Sequence, residues 1–324
     1  MLSDSLNAEV WERLRQSKPL EGISLATKDG RADLCGLSLP DPSVLQRWQT
    51  PTANMSQILP AGEFRGIRWQ NLDFSGSKLN SLRFYESEVS NCLFEKCELK
   101  DWRLWDTRIR DCSFRRANLR DSALGAAVGD AGLLGMGDRA LLGKRNVYTR
   151  VDFTEADLRG TVYISAVFEQ CMFRNTKLVK VDFGTSTFVD CQFEGELREV
   201  IFWRHGVGKE SFPPGEMINV DFSSAKLRNV EFRGLCLEGV RLPSDSEQIL
   251  VKNFSVVLDK LIDALERQGD RTAKILVAGF QVNRQWAHPG GPGVLNMRDL
   301  AEEVGEDAEE RVVELLRRFG VEKQ

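Results

Sequence analysis

Cys92 with Cys112, and Cys171 with Cys191, are two cysteine pairs, each pair twenty residues apart. Thiols held at matched positions of a repeat could bind zinc or cycle between thiol and disulfide. The chain supplies little to join them. Its two histidines, His205 and His288, form no metal pair, and seven cysteines are an odd set without the spacing of a disulfide framework. Small thiols facing inward as filler account for the same spacing. There is no P-loop, no glycine-rich dinucleotide fingerprint and no serine in a nucleophile elbow. The expectation is a protein that is not an enzyme, with no cofactor and no metal site.

What places those cysteines is a repeat. The stretch CSFRRANLRDSAL, Cys112 to Leu124, sets Phe114, Leu119 and Leu124 five residues apart, with small Cys112, Ala117 and Ser122 two places before each. A helix repeats near 3.6 and a strand near 2, so a sustained period of five fits neither. Backwards, the same phase holds without a slip through Ile109, Leu104, Leu99, Phe94, Val89, Phe84, Leu79, Phe74, Trp69 and Phe64. It resumes at Tyr148 and runs through Phe153, Leu158, Tyr163, Phe168, Phe173, Leu178, Phe183, Phe188 and Phe193, shortens by one residue to Leu197, and reaches Phe202. A last run holds Phe222, Leu227, Phe232, Leu237 and Leu242.

A fixed internal period points to a solenoid, in which each unit buries its apolar face only by stacking on the next. Four pentads would close one coil, and a second period of twenty supports this: Phe74, Phe94 and Phe114 align, as do Leu79, Leu99 and Leu119. After the first break the same rule aligns Phe153 with Phe173 and Phe193, Leu158 with Leu178 and Leu197, and Tyr163 with Phe183 and Phe202. Trp102 stands where other pentads have a small residue, so the coil is expected to bulge there or the ring to turn out.

The pentads ADLRG (156 to 160), ANLRD (117 to 121) and VDFTE (151 to 155) resemble the consensus of the pentapeptide-repeat proteins. The resemblance covers about 32 to 243 with gaps and implies a mainly β fold: a right-handed quadrilateral parallel β-helix, followed here by an α-helical C-terminal region. Members of that family include quinolone-resistance and peptide-antibiotic immunity proteins that protect DNA gyrase. The resemblance therefore implies a protein partner, DNA gyrase or topoisomerase IV being the specific precedent, and a carboxy-terminal helix that forms a homodimer.

Three regions follow. Residues 1–61 hold a short amphipathic helix around Val10, Trp11 and Leu14, two early pentads (ADLCG and LSLPD), and a Pro-bearing stretch, and read as a cap. Residues 62–243 are the β-helix, with insertions near 126–145 and 204–215 that leave from the same edge, three coils apart. From Ser244 helical spacing takes over (Phe254, Leu258, Leu261, Ile262, Leu265), and 244–324 read as a helical capping and association region. Its last two helices faintly resemble a helix-turn-helix, but Glu306, Asp307, Glu309 and Glu310 would repel phosphates.

Beside the insertions lies a candidate partner-binding face. Positions next to the pentad centres carry Arg65, Arg83, Tyr85, Arg103, Trp105, Trp203 and Arg204, and those directions point outward. Exposed aromatics interleaved with arginine suit a protein-binding hot spot. The formal net charge of −4 implies no general affinity for nucleic acid or membrane. The opening MLSDSLNAEVWERL does not read as a signal peptide, and the expected location is the cytoplasm. Two readings are carried forward. One is protection of a type II topoisomerase by duplex mimicry, weakened by a repeat whose acids and bases nearly balance; the acids of 151 to 199 would have to concentrate on one part of the rod. The other is a scaffold that binds an unrelated protein through the aromatic and arginine face, the loops and the helical tail.

Overall fold

Each pentad turns a corner at the residue two places after its centre. Asn71, Ser81, Glu86, Asn91, Lys96, Asp101, Asp106 and Asp111 all have φ near +50° to +60°, and the same holds at Gly66 and Gly76. That left-handed conformation favours Gly, Asn and Asp, which explains much of the polar residue choice at corners. Between corners, strands of two to four residues put the centre inward and its neighbours outward. The computed structural model describes residues 4–39, 62–126, 143–205 and 212–321.

Parallel pairing joins the pentads into four ladders. The first carries Phe64, Phe84, Leu104, Leu124, Tyr163, Phe183, Phe202 and Phe232. The second is one seven-stranded sheet through Trp69, Val89, Ile109, Tyr148, Phe168, Phe188 and Met217. The third holds Phe74, Phe94, Phe114, Phe153, Phe173, Phe193 and Phe222, and the fourth the leucines from Leu79 to Leu227. In register, Phe173 sits over Phe153, and Phe193 over Phe173.

The third ladder is a continuous column of rings. Phe74 and Phe94 stack at 5.2 Å and 8°, Phe94 and Phe114 at 4.9 Å and 10°, and Phe173 and Phe193 at 4.6 Å and 3°. All are fully buried. Each ring contributes about 1.5–3 kcal/mol by leaving water, and each stacked pair about 0.5–1.5 kcal/mol more.

Trp102 corrects the expectation of a bulge or an outward ring. It is buried, meets Phe84 at 5.1 Å and Phe94 at 5.5 Å, and its indole N–H donates to Leu79 O. Room exists because the first ladder interrupts its rings with Leu104 and Leu124, and the indole fills the space those leucines leave. The cysteines are inward filler: Cys92, Cys112, Cys171 and Cys191 are buried and free, and burial pushes the Cys92 and Cys171 thiols up, away from the reactive thiolate.

The ends are closed differently. Helix α1 (Asp4–Arg15) lays Val10, Trp11 and Leu14 on the first coil, where Trp69 donates to Leu14 O at 3.0 Å and Trp11 to Ser38 O at 2.7 Å. Beyond the last coil, helices α2 (Phe254–Glu266), α3 (Arg271–Trp286), α4 (Met297–Val304) and α5 (Glu306–Arg318) pack with the antiparallel pair Gln248–Val251 and Gly293–Asn296 around a separate core that includes Leu258, Leu261, Phe280 and Leu315.

A core ring tests the stacking directly. Phe94→Ala is expected to lower unfolding free energy by about 3–5 kcal/mol in denaturant titration, and Phe94→Asp to give no soluble folded protein. Near-wild-type stability of Phe94→Ala would show that the column does not carry the coil.

Candidate interaction surfaces

The predicted face divides into two clusters, both on the first ladder. At one end Arg65 lies 3.9 Å over the Tyr85 ring, and Tyr85 stacks on Trp105 at 4.6 Å and 14°. Arg83 and Arg103 both reach Asp101, at 2.7 Å and 3.1 Å. At the other end Trp203 meets Trp286 of α3 at 5.8 Å, and Arg233 lies 4.2 Å over Trp203. The backbone of Arg204 is held by Arg233 O and by Gly215 N–H, at 2.9 Å and 2.7 Å.

The expected exposure of the two rings is corrected. Tyr85 is 6% and Trp105 8% exposed. Positions twenty apart lie one coil above another, so outward rings cover each other's faces, and Arg65 covers the next. Burial pushes the Tyr85 phenol up to about 12, with Glu63 adding to the shift. Trp203 and Arg204 do not join that cluster; Trp203 seats the helical region instead, which no spacing in the pentads could signal.

The charged surface differs from a sum of residues. Arg116 pairs with Glu155 at 2.5 Å, Arg115 with Asp152 at 3.0 Å and Arg150 with Asp111 at 2.5 Å. Thus the basic coil 103 to 120 lies under the acidic coil 151 to 160, and the two neutralise each other. Further along, Arg159 holds Asp157, Lys180 holds Glu199 and Arg198 holds Glu196.

The insertions leave between the first and second ladders. Where the first begins, a Cβ on Gly125 would lie 2.3 Å from the Ile164 backbone, so only glycine fits. Asn146 closes the gap on the return: its amide donates to Leu104, Leu124 and Gly125 carbonyls at 2.8, 3.0 and 2.6 Å, and its oxygen accepts from Thr107 N–H at 2.8 Å. Leu133, Leu134, Met136, Leu141 and Leu142 of the first insertion lie outside the described residues.

Sequence reasoning missed the flat outer face of the second ladder. Arg68, Glu88, Arg108, Gln70 and Arg110 occupy one half, all exposed. Val147, Thr149, Val167, Glu169, Thr187 and Val189 occupy the other, mostly β-branched, ending in Ile218 at 50% exposure. The signal was present, since β-branched residues recur beside the centres at twenty-residue spacing.

A parallel coil closed by four ladders, with short buried side chains between stacked rings, defines a β-helix solenoid. The model of the family "Pentapeptide repeats" matches eight copies, over residues 152–190 and 216–242, and those stretches are pentapeptide repeats. It is similar to HetL, a pentapeptide repeat protein involved in heterocyst differentiation regulation from the cyanobacterium Nostoc sp. Strain PCC 7120, at 15% identity over 63% of this chain and 91% of that one, TM-score 0.28. It is also similar to trypsin-treated QnrB1, a plasmid-mediated fluoroquinolone resistance protein, at 17% identity over 73% and 97%, TM-score 0.26. The third is Rfr23 from the cyanobacterium Cyanothece 51142, at 11% identity over 50% and 88%, TM-score 0.21. No curated protein matches the sequence. No described helix is long and apolar enough to cross a membrane. Among the described residues no group of three or more His, Cys, Asp or Glu is placed to hold a metal.

The tyrosines offer a pH test. Burial raises all three, Tyr85, Tyr148 and Tyr163, above the ordinary value of about 10. The fold holds the phenolic proton more tightly than the unfolded chain does, so stability is full below pH ~10 and falls as pH rises from there toward about 12, where Tyr85 titrates. Tyrosinate absorbance should stay flat through pH ~10 and rise together with loss of structure; a rise near pH ~10 in a folded protein would show the Tyr85 ring to be open to solvent.

Proposed function

We propose that this chain works by binding another protein along a rigid rod, and that its four ladders are the sides of a right-handed quadrilateral coil capped by residues 1–61 and 244–324. The observation that carries the reading is the seven-stranded second ladder. At about 4.8 Å per strand it offers a flat face roughly 29 Å long, arginine-rich at one end and β-branched at the other. Flat, rigid surfaces that mix apolar patches with arginine suit partner recognition because little side-chain freedom is lost on binding. The fit with a protein that is not an enzyme is that the inward cysteines, tyrosines and threonines are consumed in packing.

The specific partner we propose is a type II topoisomerase, on the family resemblance and the duplex-like girth of such a rod. The ion pairs between neighbouring coils argue for contact through the mixed face of the second ladder rather than through a polyanionic surface that imitates phosphates.

Purified protein at micromolar concentration is expected to change DNA gyrase supercoiling in the presence of a fluoroquinolone. The variant Val167→Lys with Ile218→Lys should need about tenfold more protein for the same effect, while its unfolding free energy stays within about 0.5 kcal/mol of wild type. No effect of the wild type would remove the topoisomerase, and equal potency of the variant would remove this face.

A further inference from the structure

The last coil must end all four ladders, and the backbone groups that would bond a further coil have to be satisfied some other way. On the fourth ladder the cap replaces the missing pentad with side chains. Gln248 accepts from Leu227 N–H at 2.7 Å and donates to Ala225 O at 3.1 Å, Asn296 donates to Leu227 O, and Asp299 accepts from Asn229 N–H at 2.8 Å. On the first ladder the final strand, Glu231–Arg233, pairs among the described residues only with the strand below it. Gly234 N–H finds Trp286 O at 2.8 Å. Among the described residues, Val230 O, Phe232 N–H and Phe232 O take no partner.

These three groups border a cavity of about 580 Å³ between the last coil and the helices, lined by Phe232, Leu235, Ile275, Gly279, Val282 and Leu300. Ile275 and Val282 are 46% and 51% exposed on one face of α3, with Gly279 between them and nothing within 4 Å of where its Cβ would be. Phe232 stacks on Phe202 below at 5.3 Å and meets Phe222 edge-on at 5.5 Å, and among the described residues no ring stacks on its upper face. An open strand edge beside an apolar cavity of this size is the arrangement that receives an extended peptide as an added strand.

The chain itself states what such a strand should carry. The open strand reads Glu231-Phe232-Arg233, and the first strand of the same ladder reads Glu63-Phe64-Arg65. Over that first strand lie Arg83, Phe84 and Tyr85, in register with Glu63, Phe64 and Arg65. Phe84 stacks on Phe64 at 5.3 Å and Arg65 lies over the Tyr85 ring at 3.9 Å. At the open end Arg233 is already engaged, pairing with Glu231 at 2.6 Å and lying over the Trp203 and Trp286 rings; what is on offer is the upper face of Phe232 and the acid of Glu231 and of Glu303, which lines the cavity and enters no ion pair among the described residues.

We infer that the Glu231–Arg233 edge is a peptide-binding site that takes an extended, parallel segment of a partner protein with a basic residue followed by an aromatic one. The aromatic ring continues the column above Phe232. The basic residue stands over Glu231, and the segment ends or turns away before Arg233, whose place above is filled by Trp286. Two backbone bonds form: Phe232 N–H to the carbonyl of the basic residue, and that residue's N–H to Val230 O.

The probe is the acetylated, amidated tripeptide Leu-Arg-Phe, a copy of Leu82–Phe84, titrated into the full chain by calorimetry, with hydrogen exchange read at Phe232. Saturable binding and slowed exchange of the Phe232 amide are expected. N-methylation of the peptide at its arginine should weaken binding by about tenfold or more. So should Gly279→Leu, which fills the cavity and, because a helix-interior glycine is replaced, should not unfold α3. Absence of binding at millimolar peptide, or binding indifferent to N-methylation or to Gly279→Leu, overturns the assignment. So does a concentration-dependent dimer abolished by Gly279→Leu without peptide binding, which would give the edge to a second copy of this chain.

Discussion

A ring that sits over an identical ring one coil below is the contact on which the rest of this molecule depends. Backbone pairing fixes the rise per coil near 4.8 Å, and stacked phenylalanines on the third ladder are separated by 4.6 to 5.5 Å. The two spacings agree, so ring stacking and ladder bonding reinforce each other at every level. A residue gained or lost would move every later side chain onto the wrong ladder. The one shortened pentad, ending at Leu197, is tolerated because the strand Gln192–Arg198 runs straight through that corner with Gly195 at positive φ. The insertions are tolerated because they begin and end at a corner and leave the count inside each coil unchanged.

Corners carry the opposing cost. A non-glycine residue at positive φ is strained by roughly 1–2 kcal/mol, and this chain holds many, among them Glu86, Lys96, Arg116 and Lys180. Such residues persist only where the surroundings over-determine them, which a ladder bond from the corner N–H supplies: Glu86 to Trp105 O, Lys96 to Arg115 O, Arg116 to Thr154 O. The rod is rigid for the same reason, since no corner can relax without breaking bonds to the coil above.

How much of this was legible depended on direction. Inward positions were readable because burial acts on residue type, and a period of five with a period of twenty leaves one arrangement. Outward positions were not. Tyr85 and Trp105 have the composition of an exposed hot spot, yet vertical neighbours bury them, and the spacing that revealed the core also hides those rings. Trp203 was misread because its partner, Trp286, is far away in sequence and belongs to an element with a different period. Asn146 and Gln248 escaped notice because each does the work of a backbone strand with a side chain, a role that residue type alone does not announce.

The charges show why composition is a poor guide to a solenoid's surface. A coil with Arg115 and Arg116 would look like a site for polyanions if it stood alone, and a coil with Asp152 and Glu155 like an imitation of one. Stacked one above the other across the first insertion, they meet as Arg115–Asp152 and Arg116–Glu155 pairs, 37 and 39 residues apart in sequence. Exposed pairs of this kind add little stability. What they change is the field: opposite charges in contact cancel beyond a Debye length of about 8 Å. A distant duplex-binding partner would therefore sense little of either coil, and recognition of this rod has to rest on short-range contact with its faces and its ends.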